Sequence, residues 1–323
     1  MTLPLLLTVG GAHIDRRGQV SGAYIPGASN PGTMMEDVGG GGFNALRCAV
    51  QREVRGTLIS VRGGDSAGES VSKAAEAAGI TDHSVVFLDR ATPSYTALLD
   101  ENGDVIAALA DMSLYDLAFP KQMRRAKLRE AVDAADAILC DANLPAKAVE
   151  ALTALAGEKP VFAIGVSPAK IVRFSGALDR LSCLFMNGRE AAALTHYSGT
   201  DAAELVEALR ESGLKRGVVT SGADAMIAFD ADGVFSLTPP APRIVEDVTG
   251  AGDALAGATS AALMRGLPFR AALREGVAAS LLALEDRSAA PKMSRQAFEA
   301  VLALVPEAAS LQEEAQFGET NDA

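Results

Sequence analysis

The stretch Asp247-Val248-Thr249-Gly250-Ala251-Gly252-Asp253-Ala254 joins a Gly-Ala-Gly turn, a carboxylate and the start of an apolar helix. Glycines at 250 and 252 leave backbone N–H groups uncovered at the helix N-terminus, where the macrodipole favours negative charge. A phosphate fits such a turn, and Asp253 lies within reach of whatever attacks it. Simple capping of the helix by Asp253 is the plainer role, and this segment alone leaves both open. Two familiar phosphate motifs are absent. No G-x-x-x-x-G-K-[ST] occurs, and the position three after Gly252 is Leu255, which breaks the dinucleotide fingerprint.

A second glycine cluster, Gly39-Gly40-Gly41-Gly42-Phe43-Asn44, opens another helix. Adjacent glycines let the backbone approach a ligand, and Asn44 offers a donor and an acceptor from the first turn. Asp15 follows the first strand in Gly11-Ala12-His13-Ile14-Asp15, and residues beyond the C-terminal ends of parallel strands line a ligand crevice. A carboxylate, glycine amides and a carboxamide together suit the vicinal hydroxyls of a sugar.

These groups need a scaffold, and the apolar pattern supplies one. Short runs at 5–9, 57–61, 137–140, 161–164, 183–186 and 217–220 read as strands. Helical patterns occupy 43–53, 66–78, 124–134, 145–156, 201–212, 251–265, 269–284 and 294–303. The alternation predicts an α/β protein, a mostly parallel sheet with helices on both faces. Two hairpins interrupt it, at 95–99/105–109 and 226–229/234–237. The first, together with 16–38, departs from the βα rhythm, and segments of about 16–38 and 92–118 are expected to form a small β-sheet lid, with an edge hairpin of the main sheet as the alternative.

The chain has 323 residues, is 49% hydrophobic, carries a net charge of −12 and has no Trp. No linker or charge block divides it, so residues 1–311 are expected to form one domain and 312–323 a disordered acidic tail. The scattered negative charge argues against nucleic acid and anionic membrane as partners, and no apolar run is long enough to span a bilayer. The N-terminal run lacks the basic flank of a signal peptide. Three widely spaced cysteines fit a reduced, cytoplasmic protein, and His13, His83 and His196 have no zinc-ligand spacing.

Taken together, the pattern resembles the ribokinase-like (PfkB) sugar and nucleoside kinases, from Gly10 to about Leu302. It rests on Asp247–Ala254, on Gly39–Asn44, and on Asn187-Gly188-Arg189-Glu190, which matches that family's Asn-x-x-Glu. The resemblance implies a three-layer sandwich and an ATP-dependent phosphotransferase. It makes Asp253 the general base, with Gly250, Ala251 and Gly252 as an amide anion hole. It places Asp15, Gly39, Gly40 and Asn44 on the sugar, and Asn187, Thr220, Gly222 and Asp224 along the nucleotide. Glu190 would help hold Mg²⁺. Asp247 would belong to a K⁺ site, or else anchor its loop. A homodimer through the lid is a further expectation.

Within the family, four stretches resemble the bacterial pseudouridine kinases: Ser29-Asn30-Pro31-Gly32, Pro93–Asp100, Ala110-Asp111-Met112 and Asp141-Ala142-Asn143. The resemblance implies transfer to the 5′-hydroxyl of pseudouridine. Asn30, Asp111 and Asn143 would meet the polar edges of a uracil-like base, and Tyr95 or Phe43 would stack on it. Alternatives are another substrate, such as ribose or adenosine, and a metabolite-binding relative with little turnover. Three positions depart from the family pattern: His13 for Asn, Ile164-Gly165 for Asp-Pro, and Ala225 for Gly.

Overall fold

A computed structural model describes residues 2–311; the expected acidic tail, 312–323, lies outside the described residues. Its main sheet has ten strands. Seven are parallel neighbours, in the order Thr81–Asp82, Arg55–Ile59, Leu5–Val9, Ala137–Asp141, Val161–Ile164, Cys183–Asn187 and Gly217–Thr220. Three antiparallel strands, Met226–Asp230, Gly233–Leu237 and Ala309–Ser310, extend one edge. All six predicted strand runs lie in this sheet, the second reaching from Arg55 to Ile59 and resuming as Val61–Gly63, which pairs with Val85–Phe87.

The central strands are mostly apolar because both of their faces are covered. Alternate side chains enter two separate cores. Leu6, Leu58, Leu139, Phe162 and Phe185 pack with helices Gly41–Ala49, Ala251–Met264 and Phe269–Leu284. Leu7, Ile59, Ile138, Ala163 and Leu184 pack on the other face with helices Ser113–Gln122, Ala126–Ala134 and Ala146–Ala156. The helix Ala251–Met264 is buried along most of its length, which explains an apolar composition with little polar face.

The small sheet has four strands, in the order Gly32–Gly39, His13–Val20, Ser94–Leu99 and Val105–Asp111. Its hairpin at 94–111 was visible in the sequence. The strand Gly32–Gly39 was not, because Thr33, Met34, Met35 and Glu36 are all exposed and give no alternation. Residues 113–118, included in the expected lid segment 92–118, instead begin the helix Ser113–Gln122. Its Tyr115 and Phe119 are fully buried against the main sheet.

Candidate active site

The turn ahead of Asp253 has the expected form. Gly250 is the N-cap of Ala251–Met264 and takes φ = +82°. A Cβ there would lie 2.3 Å from the carbonyl oxygen of Ala289, so both conformation and packing demand glycine. The first N–H of the helix to find a backbone acceptor is that of Ala254, bonded to the Gly250 carbonyl at 2.8 Å. The amides of Ala251, Gly252 and Asp253 precede it and form the open helix end.

Asp253 is half-buried and, among the described residues, has no ion pair. Its Oδ2 accepts from Asn44 Nδ2 at 2.9 Å, so the two glycine clusters meet at this carboxylate. Asn44 is itself held by Arg47, whose guanidinium donates to Asn44 Oδ1 at 2.5 Å and to the Val38 carbonyl at 2.7 Å. Burial pushes the Asp253 carboxyl up to about 7, with Asp141 and Asp15 adding to the effect and Asn44 and Arg47 opposing it. A carboxyl titrating near neutrality suits a general base.

On the acceptor side, Asp15 lies against Gly39, where a Cβ would sit 1.9 Å from Asp15 Oδ2. Asp15 is opposite Tyr95 in the neighbouring strand, and Tyr95 is opposite Ala110, next to Asp111. His13, where the family pattern has Asn, is buried between Tyr115 Oη at 3.1 Å and Asp15 Oδ1 at 3.4 Å. Asp15, Gly39, Gly40, Asn44 and Asp253 thus come together, with Tyr95 and Asp111 on the adjoining sheet.

Other expected contacts are engaged elsewhere. The Asn30 carboxamide closes its own turn through Ile25 N–H, Ile25 O and Ala28 O at 2.8–3.0 Å. Asn143 is 1% exposed; its Nδ2 donates to Asp141 and its Oδ1 accepts from Lys170. Phe43 is a core residue. In this arrangement Asn143 and Phe43 are buried, and the Asn30 carboxamide is already hydrogen-bonded within its turn. Asn187 caps helix Gly188–Thr195 in a reciprocal capping box with Glu190, with both bonds near 3.0 Å. Asp247 pairs with Arg17 of strand His13–Val20 and accepts from Thr249 N–H at 2.8 Å. Burial works to raise the Asp247 carboxyl, but the bonds from Arg17 and Thr249 outweigh it and hold it low. Of its two expected roles, loop anchoring is the one this geometry carries.

Beside the open helix end is a cavity of about 500 Å³. Thr220, Gly222 and Asp224 line it with Ala251 and Gly252, whereas Asn187, the fourth residue expected along the nucleotide, does not; Val245, Val248, Leu281 and Leu284 give it an apolar wall. Ala225 is not on that wall, so its methyl group does not narrow it. Residues 285–292 do not line it either; they pack behind the turn, through Ala289 against Gly250. Such a cavity, apolar on one side and bounded by free amides on the other, fits a purine and its phosphates.

Glu190 is buried, which raises its carboxyl above the usual range against the bond from Asn187 N–H. Its Oε2 lies 2.5 Å from where a Gly165 Cβ would be, so the departure Ile164-Gly165 makes room for Glu190. Val166 follows at φ = +70°, a costly conformation for a β-branched residue, and its Cγ2 approaches Gly41 beside Asp253. No cluster of three metal-ligating side chains occurs among the described residues. A divalent ion here would be carried mainly by nucleotide phosphates, and Glu190, the carboxylate expected for it, stands outside the lining of the cavity.

Residues 4–296 match the pfkB family carbohydrate kinase model. The chain belongs to the PfkB family of carbohydrate kinases. It is 28% identical over 283 residues to a pseudouridine kinase of Escherichia coli (strain K12), covering 86% of this chain and 90% of that protein. A carbohydrate kinase from Agrobacterium tumefaciens is 45% identical, with a TM-score of 0.85 over 95% of this chain and 99% of that one. The ribokinase of Arabidopsis thaliana, solved with ribose and ATP, shares the fold at a TM-score of 0.82 and 20% identity, over 94% and 99% of the two chains. This PfkB kinase is a phosphotransferase acting on a hydroxyl group and has the ribokinase-like fold.

No sequence motif assigns a role to Arg47, Arg17, Val166, Lys170 or the Asp141 carboxylate. Arg47 alone left a signal, three residues beyond Asn44 on one helix face.

Proposed function

We propose that this kinase transfers the γ-phosphoryl group of ATP to the 5′-hydroxyl of pseudouridine. The single observation that carries the transfer is Asp253, a carboxyl titrating near 7 between the open amide turn and the acceptor side. As the hydroxyl oxygen attacks the γ-phosphorus, its proton passes to Asp253 and the bond to the ADP oxygen breaks. A positioned base contributes ~10²–10⁴ in rate, roughly 3–5 kcal/mol. The amides of residues 250–253 stabilise charge shifting through a loose, in-line transition state. A bound Mg²⁺ would neutralise charge on the nucleotide phosphates, with Glu190 as the carboxylate expected to help hold it. Arg47 holds Asn44, and Asn44 aims Asp253. The four-stranded sheet would cover the acceptor and exclude water.

The base preference rests on the likeness to the Escherichia coli pseudouridine kinase and on Tyr95 opposite Asp15, with Asp111 ending the next strand. Pseudouridine is joined to ribose through carbon, so its ring keeps a second N–H that uridine lacks. A carboxylate such as Asp111 can accept from that group, and Tyr95 can stack on the ring. ADP release should be measured with pseudouridine, uridine, adenosine and ribose. The highest kcat/KM is expected for pseudouridine. A higher value for ribose or adenosine would reject the substrate assignment, and ligand binding without turnover on any of the four would reject catalysis.

A further inference from the structure

Asp141 ends the parallel strand Ala137–Asp141 beside the first strand, and its side chain is 0% exposed. Its oxygens are nonetheless fully engaged. Oδ2 accepts from Gly11 N–H at 2.9 Å, Gly42 N–H at 2.8 Å and Asn143 Nδ2 at 3.1 Å. Oδ1 accepts from Asn143 N–H at 3.0 Å. Behind Asn143, Lys170 Nζ donates to Asn143 Oδ1 at 2.7 Å, which places a positive charge one side chain away. A buried carboxylate persists only when it is satisfied in this way.

The two backbone donors come from distant segments. Gly11 precedes His13–Val20, the strand that carries Asp15. Gly42 lies in the first turn of Gly41–Ala49, the helix that carries Asn44 and Arg47. One carboxylate therefore joins the root of the acceptor-holding strand to the helix that touches Asp253. The position of Gly41 shows how closely they approach: its Cβ site is 3.3 Å from Asp253 Oδ1 and 3.8 Å from Asp141 Oδ2.

We infer that Asp141 is a positioning residue for phosphoryl transfer, clamping the Gly11 and Gly42 backbones so that Asn44 and Asp15 keep their places around Asp253. It acts from behind the glycine shelf and touches no substrate. The inference rests on Asp253 being the base. It also has an electrostatic signature. The groups facing Asp253 are Asp15 from His13–Val20, Arg47 and Cys48 from Gly41–Ala49, and Asp141 from Ala137–Asp141, with Asn44 as hydrogen-bond donor. The Cys48 thiol, pushed up to about 12 by burial, stays neutral. Asp15 and Asp141 disfavour the ionised base, and Arg47 and Asn44 favour it.

The test is the Asp141→Asn variant in the full chain, assayed beside Asp253→Asn and Lys170→Met. In Asp141→Asn, kcat should fall by on the order of 10²-fold, the scale of a misplaced catalytic group, with KM for ATP unchanged. The acid limb of its pH profile should move to lower pH, because a negative charge near Asp253 is gone. A merely structural role would lower the folded fraction and leave kcat per folded enzyme unchanged. Where Asp141→Asn yields no folded protein, Lys170→Met reports instead from a half-buried position. Freeing Asn143, which donates to Asp141, should lower kcat with KM for ATP unchanged, and an unchanged kcat overturns the inference. If Asp253→Asn keeps turnover, the base assignment falls and takes this inference with it. If Asp253→Asn is inactive while Asp141→Asn matches the wild type in kcat and pH profile, the positioning role alone is overturned.

Discussion

Asp253 is costly to keep ionised inside the fold, and that cost can be measured separately from catalysis. Its carboxyl is raised from an ordinary 3.8 to about 7 in the folded protein, chiefly by burial. A group whose folded value is raised stabilises below its unfolded value and loses that contribution as pH rises toward the folded one. Asp253→Asn, neutral at every pH, should therefore melt at a higher temperature than the wild type at pH 8, and the gap should close toward pH 4. Melting curves at a series of pH values check this; equal melting temperatures at pH 8 would mean that the carboxyl is not raised. Catalysis has its own pH signature. Activity needs the ionised form, so kcat/KM should rise through about pH 7 to a plateau. The sequence showed Asp253 and its glycines clearly, because their spacing is local. Asp141, Arg47 and Lys170 were not legible in their roles, because those roles depend on segments that meet only after folding. The internal partners of Asn30 and Asn143 were hidden for the same reason: a carboxamide in a suggestive stretch says nothing about whether the chain already satisfies it.

At the scale of elements, the turn into Ala251–Met264 separates two roles of glycine. Gly250 is fixed by φ = +82° and by the Ala289 carbonyl, whereas a Cβ on Gly252 would meet nothing within 4 Å. Gly250→Ala should cost about 1–3 kcal/mol of stability from backbone conformation, with the clash in addition. Gly252→Ala should fold normally and raise KM for ATP, because its methyl group enters the space before the amides. Thermal unfolding and initial rates on the two variants check the contrast, which fails if Gly252→Ala is the less stable. The Arg17–Asp247 pair links the small sheet to the loop ahead of this turn. Central strands were readable from their continuous apolar runs. The strand Gly32–Gly39 was not, because it pairs in a small sheet with side chains open to solvent and so carries no pattern of burial.

On the scale of the whole molecule, two cores on opposite faces of one sheet hold the strand ends in register, and the functional groups gather where those ends meet the helix starts. The small sheet joins this body close to His13, Gly39 and Ser94, the row that carries Asp15 and Tyr95 just beyond. If it covers the acceptor, pseudouridine binding should slow amide exchange in Ser94–Leu99 and Val105–Asp111 more than in the central strands. Hydrogen exchange with and without pseudouridine checks this, and unchanged protection in both strands would remove the covering role. The βα alternation made the architecture legible from the sequence, since buried parallel strands leave few other arrangements. The ion-paired tie between sheet and turn left no such trace, because Arg17 and Asp247 are 230 positions apart.

The central claim is that one carboxyl, beside an open helix end, accepts the proton of the attacking alcohol. The most direct test is the turnover number of Asp253→Asn with ATP and pseudouridine, measured on protein shown to be folded. A fall of ~10²–10⁴-fold with substrate binding retained is predicted. A turnover number within a few-fold of the wild type would contradict it.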